Sequence, residues 1–213
     1  MLSPKHVVVT EEWKVRQALS ALGITPDFVR NVAVAASSAR ADSLPVDPCS
    51  APGTQAYIYG VRSIRLQLLP LDWRLSREGH VESTVSDELG IQLCFQNVDR
   101  ACGDRNPEAI SEKGSGSRKL INDGWQTELW EKVDSGPSHT YGSTPTVWVI
   151  CVSTDEKRLR AEVSCPEVFE GDQFDGFSTR IFVVDEAFDP KPKSEKKSDD
   201  GDDYQDEVRI SKR

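Results

Sequence analysis

Two periods run along this chain. Up to about residue 70 the apolar positions recur every three or four residues, as on one face of a helix, and from residue 80 they alternate. Thr10 stands before Glu11, Glu12 and Trp13, a cap followed by an acidic first turn, and Trp13, Ala18, Leu19 and Leu22 form a stripe that Gly23 ends. Thr25, Pro26 and Asp27 open a second helix, with Thr25 as cap, Pro26 in the first turn and Phe28, Val32 and Ala35 or Ala36 as its apolar side. Residues 10–40 therefore predict a helical hairpin. Pro45, Pro48 and Pro52 make residues 41–54 a connector. Beyond it Tyr57, Val61, Ile64 and Leu68 suit a helix, although Ile64, Leu66 and Leu68 also alternate as a strand would. Length favours a helix over 54–69, stopped by Pro70, with Arg62 and Arg65 on its exposed side. Gly60 opposes that helix by up to about 1 kcal/mol relative to alanine.

The second half predicts strands. Residues 80–85 and 91–98 flank the turn "SDELG" as a hairpin, with Ile91, Leu93 and Phe95 on one face and Gln92, Cys94 and Gln96 on the other. Residues 146–152 are apolar on both faces, as in a central strand. In 158–165, Leu159, Ala161 and Val163 face inward and Arg158, Arg160 and Glu162 outward; 179–186 is the last strand. The sum is an α+β domain over residues 5–188: an antiparallel sheet of about five strands, with the N-terminal helical hairpin and a further helix packed on one face. A long inserted loop, 100–145, separates the second and third strands, and a stretch of that length is functional or disordered. It holds one short helical pattern after Ser117, which Leu120, Trp125 and Leu129 or Trp130 would dock. Residues 189–213 have almost no apolar content and read as a disordered charged tail. The tail's charges balance, so the net charge of −9 belongs to the rest of the chain.

That acidity disfavours nonspecific nucleic-acid binding, which needs clustered lysine and arginine. The five cysteines are odd in number and include no CxxC pair, which argues against a disulfide framework or a zinc ribbon and for reduced thiols in the cytoplasm. No apolar run reaches the length of a signal peptide or a membrane span, so no membrane is expected as a partner.

The stretch "EKGSGSRK" is the most suggestive local motif. Gly114 and Gly116 are too close for a Walker loop, and Lys113 precedes them. The amides around Gly114, Ser115, Gly116 and Ser117, with Lys113, Arg118 and Lys119, could form an anion-binding nest; the plainer alternative is a slack entry to the short helix. His6, His80 and His139 stand apart from any nucleophile motif. Glu82, Asp87, Glu88 and Asp99 gather around the hairpin as a metal-dependent nuclease would require, yet "ELGIQLCFQ" lacks the lysine such nucleases place after a strand acid. Arg158, Arg160 and Arg180 are candidates for a basic contact strip, with cross-strand pairing to acids as the alternative. No catalytic residue, metal site or cofactor is assigned.

The segments "DPCSAPGTQAYIYGVRSIRLQLLPLDW", "ELGIQLCF" and "RLRAEVSCPEVFEGDQFDGFSTRIFVVDE", with "EKGSGSRK" between the strands, resemble a group of bacterial prophage and mobile-element proteins of unknown function, over most of residues 10–186. The resemblance implies a mobile-element setting and carries no activity with it. The reading that follows is a non-enzymatic cytoplasmic binding or accessory protein acting through protein contacts, with inhibition directed against host defence as one form of it. The alternatives are a metal-dependent nuclease or phosphoryl-transfer enzyme, and a nucleotide or nucleic-acid binder through loop 112–119.

Overall fold

A computed structural model of the chain describes residues 6–111, 145–155, 157–167, 169–170 and 173–189. In chain order the elements are β1 (Val7–Val9), α1 (Glu12–Ala21), α2 (Pro26–Ala41), α3 (Ala51–Leu68), β2 (Arg74–Ser76), β3 (Ser83–Ser86), β4 (Ile91–Asn97), β5 (Thr146–Thr154), β6 (Arg158–Pro166), β7 (Phe169–Glu170), β8 (Gln173–Phe174) and β9 (Phe177–Ala187). β7 and β8 pair as a small separate ribbon. The other strands form one sheet of seven in the order β1-β9-β6-β5-β4-β3-β2.

The α+β class holds, but the sheet is larger than the sequence pattern indicated and is mixed. β1 runs parallel to β9 and β4 runs parallel to β5, while the other neighbours are antiparallel. The two extra strands are edge strands of three residues each, too short to show a period. The parallel β4/β5 pair is a consequence of the long connection after residue 98, which brings the chain back to the end of the sheet where β4 began. β5 stands fourth of seven, which places it centrally as its two apolar faces require.

Local chemistry sets the helix ends. The Phe28 amide donates to Thr25 Oγ1 at 3.1 Å, and Pro26 follows the cap where no amide hydrogen is needed. Gly23 takes φ +68, its amide donates to Ser20 O at 3.0 Å, and the Ile24 amide returns to Leu19 O at 3.1 Å. Leu19 and Ile24 are both buried, so this turn closes α1 with a hydrophobic contact as well as hydrogen bonds. Thr10 is not a cap: Glu11 occupies the N-cap position, and its carboxylate accepts from Lys14 Nζ (2.7 Å) and Trp13 Nε1 (3.1 Å). Trp13 accordingly lies on the solvent side of α1, and Val15 takes the inward position. α3 begins at Ala51 rather than 54, because Pro52 is tolerated in a first turn, and it continues through Leu68 before a 3₁₀ turn over Leu69–Leu71.

The three helices cover one face of the sheet. Leu19, Val29, Val32, Ala33 and Ile64 from the helices meet Leu93, Phe95, Ile150, Leu159, Val163 and Ile181 from β4, β5, β6 and β9 in one apolar core. On the opposite face Val147, Val149 and Cys151 form a smaller cluster with Val98 and Ala101, residues of the segment that leaves β4. That segment is pinned beside the sheet by a bridge between Val98 and Ala109. Among the described residues no helix is long and apolar enough to cross a membrane.

Candidate functional site

The arginine strip divides into two environments. Arg158 and Arg160 lie toward the rim: Arg158 Nε donates to Asp185 Oδ1 at 2.8 Å, and Arg160 Nη1 donates to Asp155 Oδ2 at 2.8 Å. The Arg160 hydrogen bond, together with amides from the turn, holds the Asp155 carboxyl down at about 2. Arg180 is not on the surface. It is 4% exposed, and it grips Glu162, which is 0% exposed, through Nε to Oε1 and Nη2 to Oε2, both at 2.8 Å. Its Nη1 donates to Gly103 O and Arg105 O, each at 3.0 Å, and its guanidinium lies 4.9 Å from the centre of the Phe182 ring. The Glu162 carboxylate also accepts from the Cys102 amide at 2.5 Å and Ser164 Oγ at 2.8 Å. Glu162 was expected on the outward face of β6, and it does share that face with Arg158 and Arg160. What reverses its exposure is the segment 98–110, which lies over this part of the sheet. The signal was available in β5: a strand apolar on both sides requires a cover on both sides, and its neighbours share that cover.

This network is closed. Every oxygen of Glu162 and three of the guanidinium nitrogens of Arg180 are used within it, so it anchors residues 102–105 to the sheet and leaves no group turned toward a substrate. Cys102 belongs to the same anchor. It takes φ 54, its Sγ donates to Ala161 O at 3.3 Å, and burial, with the Glu162 carboxylate adding to it, pushes its thiol up to about 12. A thiol in that state is not a nucleophile at neutral pH.

The carboxylates of the hairpin do not converge. Glu82 is bound by Arg65 and Arg77, Asp87 by Arg74 at 2.7 Å, and Asp99 by Arg105, each on a different part of the molecule, while Glu88 is exposed in the turn. The Arg65 hydrogen bond lowers the Glu82 pKa, and the Arg74 hydrogen bond lowers that of Asp87. Arg65 is thus a half-buried partner of Glu82 and not an exposed helix residue. Among the described residues no group of three or more His, Cys, Asp or Glu side chains is placed to hold a metal ion. The candidate anion loop, Lys113, Gly114, Ser115, Gly116, Ser117, Arg118 and Lys119, lies outside the described residues, as do Leu120, Trp125, Leu129, Trp130, His139 and the tail from residue 190.

A polar crevice of about 170 Å³ opens where β4 and β5 end, between the last turn of α2 and the first turns of α3. Ser37 and Thr154 join their hydroxyls across it, and Arg40 and Asn97 stand at its wall.

No protein-family model, curated protein or solved structure matches this chain.

One further surface comes from α3. Its inner side buries Ala56, Val61, Ile64 and Leu68. Its outer side carries Ile58, Tyr59 and Leu66, and Leu69 at the start of the 3₁₀ turn continues the line; all four are exposed, with Leu66 at 70%. At 100° per residue these four, with Arg62 among them, fall within about a quarter of the helix circumference. The Arg62 guanidinium sits 4.5 Å from the centre of the Tyr59 ring and so extends the apolar strip with its own stem. An ordinary solvated helix face is charged, and this one has a single cation in about three turns. The sequence contained this signal in the second, strand-like alternation of Leu66 against Ile64 and Leu68: α3 has apolar residues on both sides.

Proposed function

We propose that this chain is a non-enzymatic cytoplasmic binding or accessory protein of a phage or other mobile element, and that it acts by contacting another protein through the outer face of α3. The observation that carries the reading is the exposed strip Ile58, Tyr59, Leu66 and Leu69 along a helix whose opposite side is occupied by the core. A continuous exposed apolar strip of this kind marks an interaction surface, whereas scattered single residues do not. The net charge of −9 favours a partner with a basic rim around an apolar centre. The binding reading is further supported by the state of the candidate catalytic groups, since Glu82, Asp87 and Asp99 are each engaged by a separate arginine.

The test is affinity capture from host lysate, treated with nuclease, using the wild-type chain and a Tyr59→Ala/Leu66→Asp variant. The wild type should retain a stoichiometric protein that the variant loses. Removing two central apolar contacts weakens such an interface by at least about tenfold, ~1.4 kcal/mol. Melting temperatures of the two proteins should agree, because neither side chain contacts the core. Retention of the same partner by the variant, or dependence of the complex on nucleic acid, would refute the assignment.

A further inference from the structure

The crevice at the ends of β4 and β5 has an unusual balance of hydrogen-bonding groups. The region outside the carboxyl ends of parallel strands is a recurrent place for ligands. Ser37 Oγ and Thr154 Oγ1 are hydrogen-bonded to each other. Such a pair uses one hydroxyl hydrogen and leaves the other available. Ser153, itself buried, accepts from the Ala101 amide at 2.9 Å and keeps its own hydroxyl hydrogen. Asn97 Nδ2 donates to Gly53 O at 3.0 Å and retains a second hydrogen. The acceptor nearest these donors is Asp99, which also lines the crevice and is already engaged by three other donors. Its Oδ1 accepts the Arg100 amide at 2.7 Å and the Glu108 amide at 2.8 Å, and Arg105 holds its Oδ2.

The remaining charge is Arg40. It lines the crevice from the last turn of α2 and, among the described residues, its guanidinium has neither an ion-pair nor a hydrogen-bond partner. Arg62 and Arg100 likewise make no ion pair among the described residues, but of the three only Arg40 lines the crevice. The chain is acidic overall, so its general field repels anions and only a local arrangement of donors can hold one.

We propose that this crevice binds a small oxyanion group, phosphoryl or carboxylate, with Arg40 as the counter-charge and Ser37, Thr154, Ser153 and Asn97 as hydrogen-bond donors. The guanidinium fork matches either oxyanion in a two-point contact. A volume near 170 Å³ accepts a group about the size of benzene, which is a phosphate or a short carboxylate and not a whole nucleotide. The site is separate from the outer strip of α3, so either assignment stands without the other.

The experiment is a two-dimensional amide NMR titration of the full chain with inorganic phosphate and, separately, with acetate, at ionic strength held constant with sodium chloride. Phosphate, acetate or both should give saturable shifts at Asn97, Ser153 and Thr154, with a Kd at or below about 1 mM. The stronger of the two anions identifies the preferred chemistry. Arg40→Ala should weaken binding at least about tenfold while the spectrum stays native, and Arg40→Lys, which keeps the charge without the fork, should lose an intermediate amount. Thr154→Val should weaken binding without removing it. Shifts that chloride reproduces, or that do not saturate, would overturn the proposal. So would an Arg40→Ala protein that binds as the wild type does but melts lower, since Arg40 would then serve only to complement the carbonyls at the end of α2.

Discussion

The two faces of the central sheet are made by the same strands and held by different physics. On the helix side Leu93, Phe95, Ile150, Leu159, Val163 and Ile181 meet helices whose contact positions include Ala33, Ala36 and Ala56, small enough for close approach. Apart from the Ser37–Thr154 hydroxyl pair at its edge, that side needs volume filled and not particular partners. On the other side the apolar surface is small and centres on β5, whose Val147, Val149 and Cys151 meet Val98, Ala101 and Cys94. Its neighbours present Gln92, Gln96, Ser164, Glu162 and Arg180, all buried, so each must find a particular donor or acceptor. Gln92 finds Ser83 Oγ at 2.7 Å, and Glu162 finds Arg180, Cys102 and Ser164. A non-directional face tolerates change by degrees. A face of paired polar groups is intact or broken.

The sharpest way to break the second face is Arg180→Ala. It leaves the Glu162 carboxylate without a counter-charge at 0% exposure, and it leaves Gly103 O and Arg105 O without their donor. The expected loss is about 3–5 kcal/mol in urea unfolding. The paired variant Glu162→Leu/Arg180→Met separates charge from anchoring. Removing both charges together is often neutral in a buried pair. Here it should recover only part of the loss, because the Cys102 amide and two backbone carbonyls remain unpaired, at about 1–3 kcal/mol for each buried orphan. A double variant as stable as the wild type would mean that the pair does not hold residues 102–105 in place.

The helix face is tested by Gly60→Ala. A Cβ at residue 60 would come under 3.0 Å from three atoms of the Phe95 ring, which is itself buried. Helix propensity gains about 1 kcal/mol from the substitution, and overpacking costs about 1–3 kcal/mol. A net destabilisation on the order of 1 kcal/mol is expected, read as a lower urea midpoint at unchanged slope. An increase in stability would show that α3 can lift from β4 without penalty, and the helix face would then be looser than its packing implies.

Legibility in the sequence followed the same division. α2 was readable because Thr25, Pro26 and the spacing of Phe28 and Val32 agree with one another. The hairpin of β3 and β4 and the inward set Leu159, Ala161 and Val163 were readable because apolar alternation is a local signal. β1 and β2 were not, since three residues carry no period. The parallel β4/β5 pair was not, because the direction of a strand depends on how a long connection returns. The burial of Glu162 and Arg180 was missed for a related reason: their parity was read correctly, but parity assigns a face and not a solvent. Of the candidate site residues, Arg158, Arg160 and Arg180 do gather on one face of β6 and β9, as engaged ion pairs and not as a free basic strip. The strip on α3 was visible only as a strand-like alternation of Leu66 with Ile64 and Leu68, which competed with the helix signal, and the crevice at Arg40 escaped notice because its residues come from segments far apart in sequence.

The smallest effect concerns acid. Asp155 opens the turn between β5 and β6, where its Oδ1 accepts the amides of Lys157 (3.1 Å) and Arg158 (2.9 Å) and its Oδ2 accepts Arg160 Nη1 at 2.8 Å. The Arg160 hydrogen bond is the largest cause of a pKa held near 2, against an ordinary 3.8. A carboxyl depressed in the folded state binds fewer protons there than in the unfolded chain. Its stabilisation is therefore fully present above the ordinary value and is lost as pH falls toward the depressed one. Stability should decline on acidification through this window. Asp155→Asn, which keeps an acceptor but has no charge to titrate, should flatten part of that decline and leave the profile above pH ~5 parallel to the wild type. Asp87 and Glu82 are lowered by their own arginines and account for further slope, so Asp87→Asn serves as a second, independent flattening. The apolar core beneath the helices contains no carboxyl group and should contribute nothing to the slope in acid. Urea midpoints measured from pH 6 to pH 2 would decide the matter: superimposable profiles for wild type and Asp155→Asn would show that the rim of the polar face does not set the acid response.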